Sequence, residues 1–152
     1  MSTTYIALVI LHIVAGATWF GGPLSLAGGL KRALAGDGAG FRIATTGAVR
    51  QATVAAIGAL LTLATGLGLV FAVYGGFKGL PVRFHMALGL VIVGAALAWG
   101  AVRPTCTRLA AAAAGPGFAP ESVRPAVKRL SMFIGIGHTL WLAALVLMYA
   151  RV

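Results

Sequence analysis

Leu11-His12-Ile13-Val14-Ala15-Gly16-Ala17-Thr18-Trp19-Phe20-Gly21-Gly22 is the stretch whose reading decides the fold class. It is apolar and glycine-bearing, it extends on both sides far enough to cross a bilayer, and it contains a histidine. An ionisable residue inside such a run is costly, so it marks a functional site whose partner has to be found. The two other histidines of the chain, His85 and His138, also lie in long apolar runs.

Composition points the same way. Of 152 residues, 60% are hydrophobic and 9% charged, and the mean hydropathy is +0.99. Soluble domains carry about a quarter charged residues, so the chain reads as a single all-α integral membrane domain spanning residues 1–152. Twelve Lys and Arg against Asp37 and Glu121 give a formal charge of +10. The cations sit at the ends of apolar runs and in two loops. There they set topology and meet anionic lipid headgroups, and a nucleic-acid partner is not expected. Cys106 is the single cysteine, which excludes an intrachain disulfide and a cysteine metal cluster. Its basic surroundings place it in a cytoplasmic loop. Met1-Ser2-Thr3-Thr4 has no positive n-region and the run behind it is too long for a signal h-region, so no cleavable signal peptide is expected.

Four spans of about 20 residues match a hydrocarbon core of ~30 Å. They cover residues 5–26, 51–74, 82–102 and 128–150. Pro23 kinks the end of the first, and Lys31-Arg32 stop it at the interface. Residues 33–47 are expected to form a loop around Gly36-Asp37-Gly38-Ala39-Gly40, with helix resuming near Phe41 or Arg42. Gly58, Thr62 and Gly66 form a small-residue stripe suited to close packing in the second span. Arg103-Pro104 should end the third. A second loop, 105–126, follows, with Ala110–Ala114 prolonging the helix or forming a short surface one, and Pro125 opening the fourth span. The loops after spans one and three hold nine cations, Lys31, Arg32, Arg42, Arg50, Arg103, Arg108, Arg124, Lys128 and Arg129. The other side holds three, Lys78, Arg83 and Arg151. Positive-inside bias then gives an antiparallel four-helix bundle with both termini outside the cytoplasm, in a bacterial-type inner membrane.

At ~1.5 Å per residue, His12 is ~10 Å deep from the outer face, His85 ~5 Å and His138 ~18 Å. All three fall in the outer half or centre of the bundle. Each has a glycine one turn away: Gly16, Gly89 and Gly135. Histidines on facing helices with adjacent glycines and no nearby carboxylate suit haem b, whose iron takes axial imidazoles and whose ring needs room and apolar walls. Arg83 and Lys78 lie on the correct side for its propionates. Copper on His12, His85 and His138, with Met86 as a soft donor, is the alternative metal reading. Zinc lacks its usual ligands, and a proton path would show intramembrane acids. For each histidine alone, an ordinary polar helix–helix contact is the competing account.

Leu11-His12-Ile13 followed by Thr18-Trp19-Phe20-Gly21-Gly22-Pro23 resembles the first helix of HemJ-type protoporphyrinogen oxidases and of the related CopD-like membrane domain. Arg50 through Leu60-Leu61-Thr62-Leu63-Ala64-Thr65-Gly66-Leu67 is similar to the CopD-like pattern ending in Thr-Gly, and the Arg103-Pro104 end of the third span also fits. As a four-helix pattern the resemblance covers nearly the whole chain, and the first-helix motif is its most specific part. It implies haem b ligation by His12 and by a residue near the start of the third span. The family has a lysine there. This chain has none, and His85 sits at or two residues from that position. The resemblance thus favours the pair His12 and His85, with His138 as the alternative mate. Leu24 stands where the family carries an arginine after the proline, so the resemblance bears on the haem scaffold rather than on protoporphyrinogen oxidation. The expected function is single-electron transfer between a quinone or partner protein and an acceptor, as an oxidoreductase if catalytic. A CopD-like copper carrier is one alternative. A cofactor-free accessory subunit of a larger membrane complex is another, and a homo-oligomer is compatible with each.

Overall fold

The computed structural model describes residues 3–36 and 38–149. Among these residues all regular structure is helical. The elements are α1 (Thr3–Leu24), α2 (Leu26–Ala35), α3 (Gly38–Tyr74), a 3-10 turn (Phe77–Gly79), α4 (Val82–Leu97), a π turn (Ala98–Val102), α5 (Arg103–Ala114) and α6 (Pro120–Tyr149). Four helical stretches are long and apolar enough to cross a membrane: Thr3–Ala35, Gly38–Tyr74, Val82–Ala114 and Pro120–Tyr149. Their outer faces are apolar as well, with Ile13 61%, Val14 55%, Phe71 59% and Val146 64% exposed.

These stretches run to 33, 37, 33 and 30 residues, about 45–55 Å of helix at 1.5 Å per residue. That exceeds a ~30 Å hydrocarbon core by about three to five turns. The excess comes from the two segments expected to be loops. Helix reaches Ala35 and resumes at Gly38, three residues before the expected restart near Phe41; on the far side it runs to Ala114, the prolongation over Ala110–Ala114 that was one of the two expectations there, and restarts at Pro120. Alanine is the strongest helix former, which favours winding Ala110–Ala114. Burial then holds the extensions in place. Leu30, Phe41, Leu109 and Leu130 are at most 2% exposed and form one core with Leu26, Val102, Val123 and Val127. Phe118 from the short α5–α6 connection stacks on Phe41 at 5.3 Å. Cys106 lies in this core, fully buried on α5, rather than in a loop.

Prolines also act differently from the sequence expectation. Pro104 does not end the helix. A proline ring clashes with the carbonyl four residues earlier, here that of Gly100, and the π turn at Ala98–Val102 widens the backbone just there. Such bulges are a usual way for a helix to absorb local misfit. The Trp99 indole N–H, in the same turn, donates to the Ala56 carbonyl at 2.9 Å. Pro125 lies inside α6 rather than at its start, because Pro120 already serves as the opening residue. Pro23 does break α1, and α2 follows after Ser25.

The second core joins α1, α3, α4 and α6 around Trp19, Ala55, Ala59, Ala87, Val91, Ala95 and Ala144. Helices approach closely because α3 presents a stripe of Ala, Gly and Thr. A Cβ at Gly58 would stand 3.0 Å from the Trp19 amide nitrogen and 3.1 Å from the Ala15 carbonyl oxygen. Gly22 meets Gln51 and Ala55, and Gly68 meets Leu8, which fixes an antiparallel register of α1 on α3. The buried Thr62 and Thr65 hydroxyls donate to Gly58 and Leu61 carbonyls of their own helix, at 2.8 and 2.6 Å. At the other end, Gly75 and Gly76 turn the chain out of α3 with φ of 66° and 125°, a region open to glycine.

Candidate cofactor site around His12

The α1–α3 register places His12 against Thr65 and Gly66. His12 Nδ1 lies 3.0 Å from Thr65 Oγ1. The Thr65 hydroxyl already gives its hydrogen to the Leu61 carbonyl at 2.6 Å, so its oxygen is an acceptor toward the ring. Nδ1 therefore carries the proton and donates it to Thr65, which leaves Nε2 with the lone pair. Metal-binding histidines are typically held in this way, one nitrogen fixed by an outer partner and the other available as ligand. Gly66 makes the arrangement fit: a Cβ there would come within 3.1 Å of His12 Cε1.

His12 lines a cavity of about 230 Å³ between α1, α3, α4 and α6. Tyr5, Gly66, Tyr74, Phe84 and Met148 also line it, and the remaining wall is aliphatic apart from Thr62. Among the described residues no carboxylate lines it. The volume exceeds the roughly 150 Å³ that encloses benzene and approaches the lower end of ordinary ligand pockets, about 300 Å³.

His138 lies elsewhere. Its Nε2–H donates to the Phe20 carbonyl at 3.1 Å, and its ring packs edge-on against Phe20 at 4.7 Å. Phe20 is eight residues along α1 from His12, about 12 Å of helix. The cavity beside His138 is about 30 Å³, room for roughly one water. His85 is exposed on α4, with Nδ1 3.4 Å from the Pro81 carbonyl and Phe77 at 6.3 Å between centroids. Neither histidine lines the His12 cavity, and among the described residues no three His, Cys, Asp or Glu side chains gather as a metal-binding group. The structure thus places the three sequence-selected histidines in three settings.

The glycines divide similarly. Gly16 is buried, and a Cβ there would sit at ordinary contact distance, 3.8 Å, from Trp141 Nε1. Gly89 and Gly135 have nothing within 4 Å. The glycine that touches His12 is Gly66, on the partner helix. Arg83 is half-buried at the start of α4, its guanidinium 5.2 Å from the centroid of the cavity-lining Phe84. Met86 is 57% exposed, whereas Met148 faces the cavity. Sequence reasoning missed Thr65, Gly66 and Met148. The Gly58-Thr62-Gly66 spacing pointed to the Thr65–Gly66 segment of α3, but only the α1–α3 register shows that the stripe runs under His12; no sequence signal marked Met148 on α6.

Thr65→Val removes the acceptor that fixes the ring while keeping side-chain volume. Loss of an outer partner typically costs 10–100-fold in metal affinity. The expected result is cofactor binding weakened within that range, measured by titration, with α-helical content unchanged.

Comparison of the chain with protein-family models, with curated proteins and with solved structures finds no match.

Proposed function

We propose that the chain is a multi-pass protein of a bacterial-type inner membrane that binds haem b at His12, in the manner of the HemJ-type and CopD-like proteins it resembles. The four long apolar helices and their exposed aliphatic faces support the membrane placement. The cation distribution supports termini outside the cytoplasm. The observation that carries the haem reading is the His12 ring, held by Thr65 at Nδ1, in the wall of an apolar cavity.

The donor chemistry suits haem b, whose macrocycle is larger than the about 230 Å³ enclosed here and would extend through the cavity's open side. His12 would hold the iron, and Met148, which lines the same cavity, would be a candidate for a second ligand. Histidine–methionine ligation is an established pair for electron-carrying haem and raises its potential. Tyr5, Phe84 and the aliphatic wall would pack against the ring, and Arg83, next to the cavity-lining Phe84, would be a candidate partner for a propionate. When bound, the group supplies reversible one-electron chemistry. The reading is electron transfer between a quinone or partner protein and an acceptor.

The test is an optical spectrum of detergent-purified protein, air-oxidised and then dithionite-reduced. A sharp reduced α band is expected. A featureless spectrum from haem-replete cells would overturn the proposal. Met148 beside His12 is also a soft donor set, which favours copper as the second reading; stoichiometric copper without haem would establish it.

A further inference from the structure

Nine of the twelve cations belong to one end of the bundle, where α2 and α5 end and α3 and α6 begin. Within that end a groove of about 360 Å³ opens between α2 and α6. Each helix lines it with residues at i, i+3 and i+4: Lys31, Leu34 and Ala35 from α2, and Arg124, Val127 and Lys128 from α6. The same spacing on both helices gives cationic walls over an apolar floor. Arg124 Nε pairs with Glu121 Oε2 at 2.8 Å, but the side chains are 59% and 75% exposed. Glu121 offsets one of the three cations, which leaves Lys31 and Lys128 as the groove's net positive charge.

Depth is the second consideration. Lys128 is 21 residues before Tyr149 on one continuous helix, about 32 Å along its axis. With that helix crossing a ~30 Å core, Lys128 and Lys31 stand at the inner headgroup level and Arg124 one turn beyond.

We infer that this groove is a specific site for the headgroup of an anionic phospholipid, with Lys31, Arg124 and Lys128 on the phosphate and Leu34 and Val127 beneath the glycerol region. It rests on the membrane placement above and is independent of haem. The apolar floor distinguishes a lipid from free phosphate, which would gain nothing from it. Basic pockets between helices on the cytoplasmic side are the expected form of headgroup recognition.

The test measures thermal unfolding of the full chain in detergent while titrating cardiolipin, phosphatidylglycerol, phosphatidylcholine or inorganic phosphate. Anionic lipids are expected to raise the midpoint and phosphatidylcholine to leave it unchanged. K31Q/R124Q/K128Q should weaken the anionic-lipid response at least tenfold. R42Q/R50Q/R108Q, which removes equal charge from the same end, should retain it. Equal loss in both triple variants would overturn the site in favour of general charge attraction, and an equal response to phosphatidylcholine would overturn it outright. Full stabilisation by inorganic phosphate would make it a soluble-anion site instead. The lipid comparison on the unaltered chain stands even where a triple variant fails to fold. Protein that stays soluble without detergent would refute the membrane placement itself.

Discussion

Gly58→Ala and Gly94→Ala should each lower the unfolding midpoint of the detergent-purified protein, while Gly89→Ala and Gly135→Ala should leave it unchanged or raise it. All four glycines lie in helices, where alanine is intrinsically better by about 0.8–1 kcal/mol. Space therefore decides the sign. At Gly58 the new methyl would meet α1 backbone, the Trp19 nitrogen at 3.0 Å and the Ala15 oxygen at 3.1 Å. No rotamer relieves a clash with backbone, so α1 and α3 must separate. At Gly94 the methyl would fall 2.7 Å from Trp19 Cζ2, and Trp19 is 6% exposed within the second core. Overpacking of this kind costs typically 1–3 kcal/mol. Net of the propensity gain this leaves up to ~2 kcal/mol, which for a chain of this size is up to roughly 4–8 °C in Tm. Gly89 and Gly135 have nothing within 4 Å, so only the propensity gain remains. Equal destabilisation at all four sites would show that the α1–α3–α4 packing around Trp19 is wrong.

Trp19 also shows why one part of the architecture was legible and another was not. Spans of lipid-facing helix must be long apolar runs, whatever they pack against, so four of them could be read from residue order alone. The extensions obey a different rule. The Gly36-Asp37-Gly38-Ala39-Gly40 run and Arg108 make their segments read as loops, yet Phe41, Cys106 and Leu109 beside them are buried in a core of their own. That core needs four chain segments at once, and no local pattern announces it. The same holds for the histidines. Their depth follows from counting along each helix, but the direction each ring faces depends on helix rotation. His85 turns outward, His138 turns onto the Phe20 carbonyl, and His12 turns onto Thr65. Spacing identified three costly residues; the register of neighbouring helices separates them.

His12→Ala should abolish haem binding, whereas His85→Ala and His138→Ala should retain it, scored as haem per folded protein. His12 is the histidine that combines a fixed tautomer with a cavity. Its removal takes away a direct ligand, so the loss should exceed the 10–100-fold typical for an outer partner. His85 is exposed, and its ring leans on its own helix at Pro81. His138→Ala forfeits a buried hydrogen bond to Phe20 and the ring contact beside it, a structural loss of about 1–3 kcal/mol. It should lower Tm without bleaching the protein. Met148 completes the series. Met148→Ala should keep haem on His12 but turn the low-spin spectrum high-spin, because a single protein ligand then remains. Met148→His should restore the low-spin spectrum with a lower potential, since a methionine ligand raises it. Haem retained in His12→Ala would sink the site. A Met148→Ala spectrum identical to that of the unaltered protein would leave His12 in place and reassign the second ligand, with His85 and His138 as the candidates to test in combination.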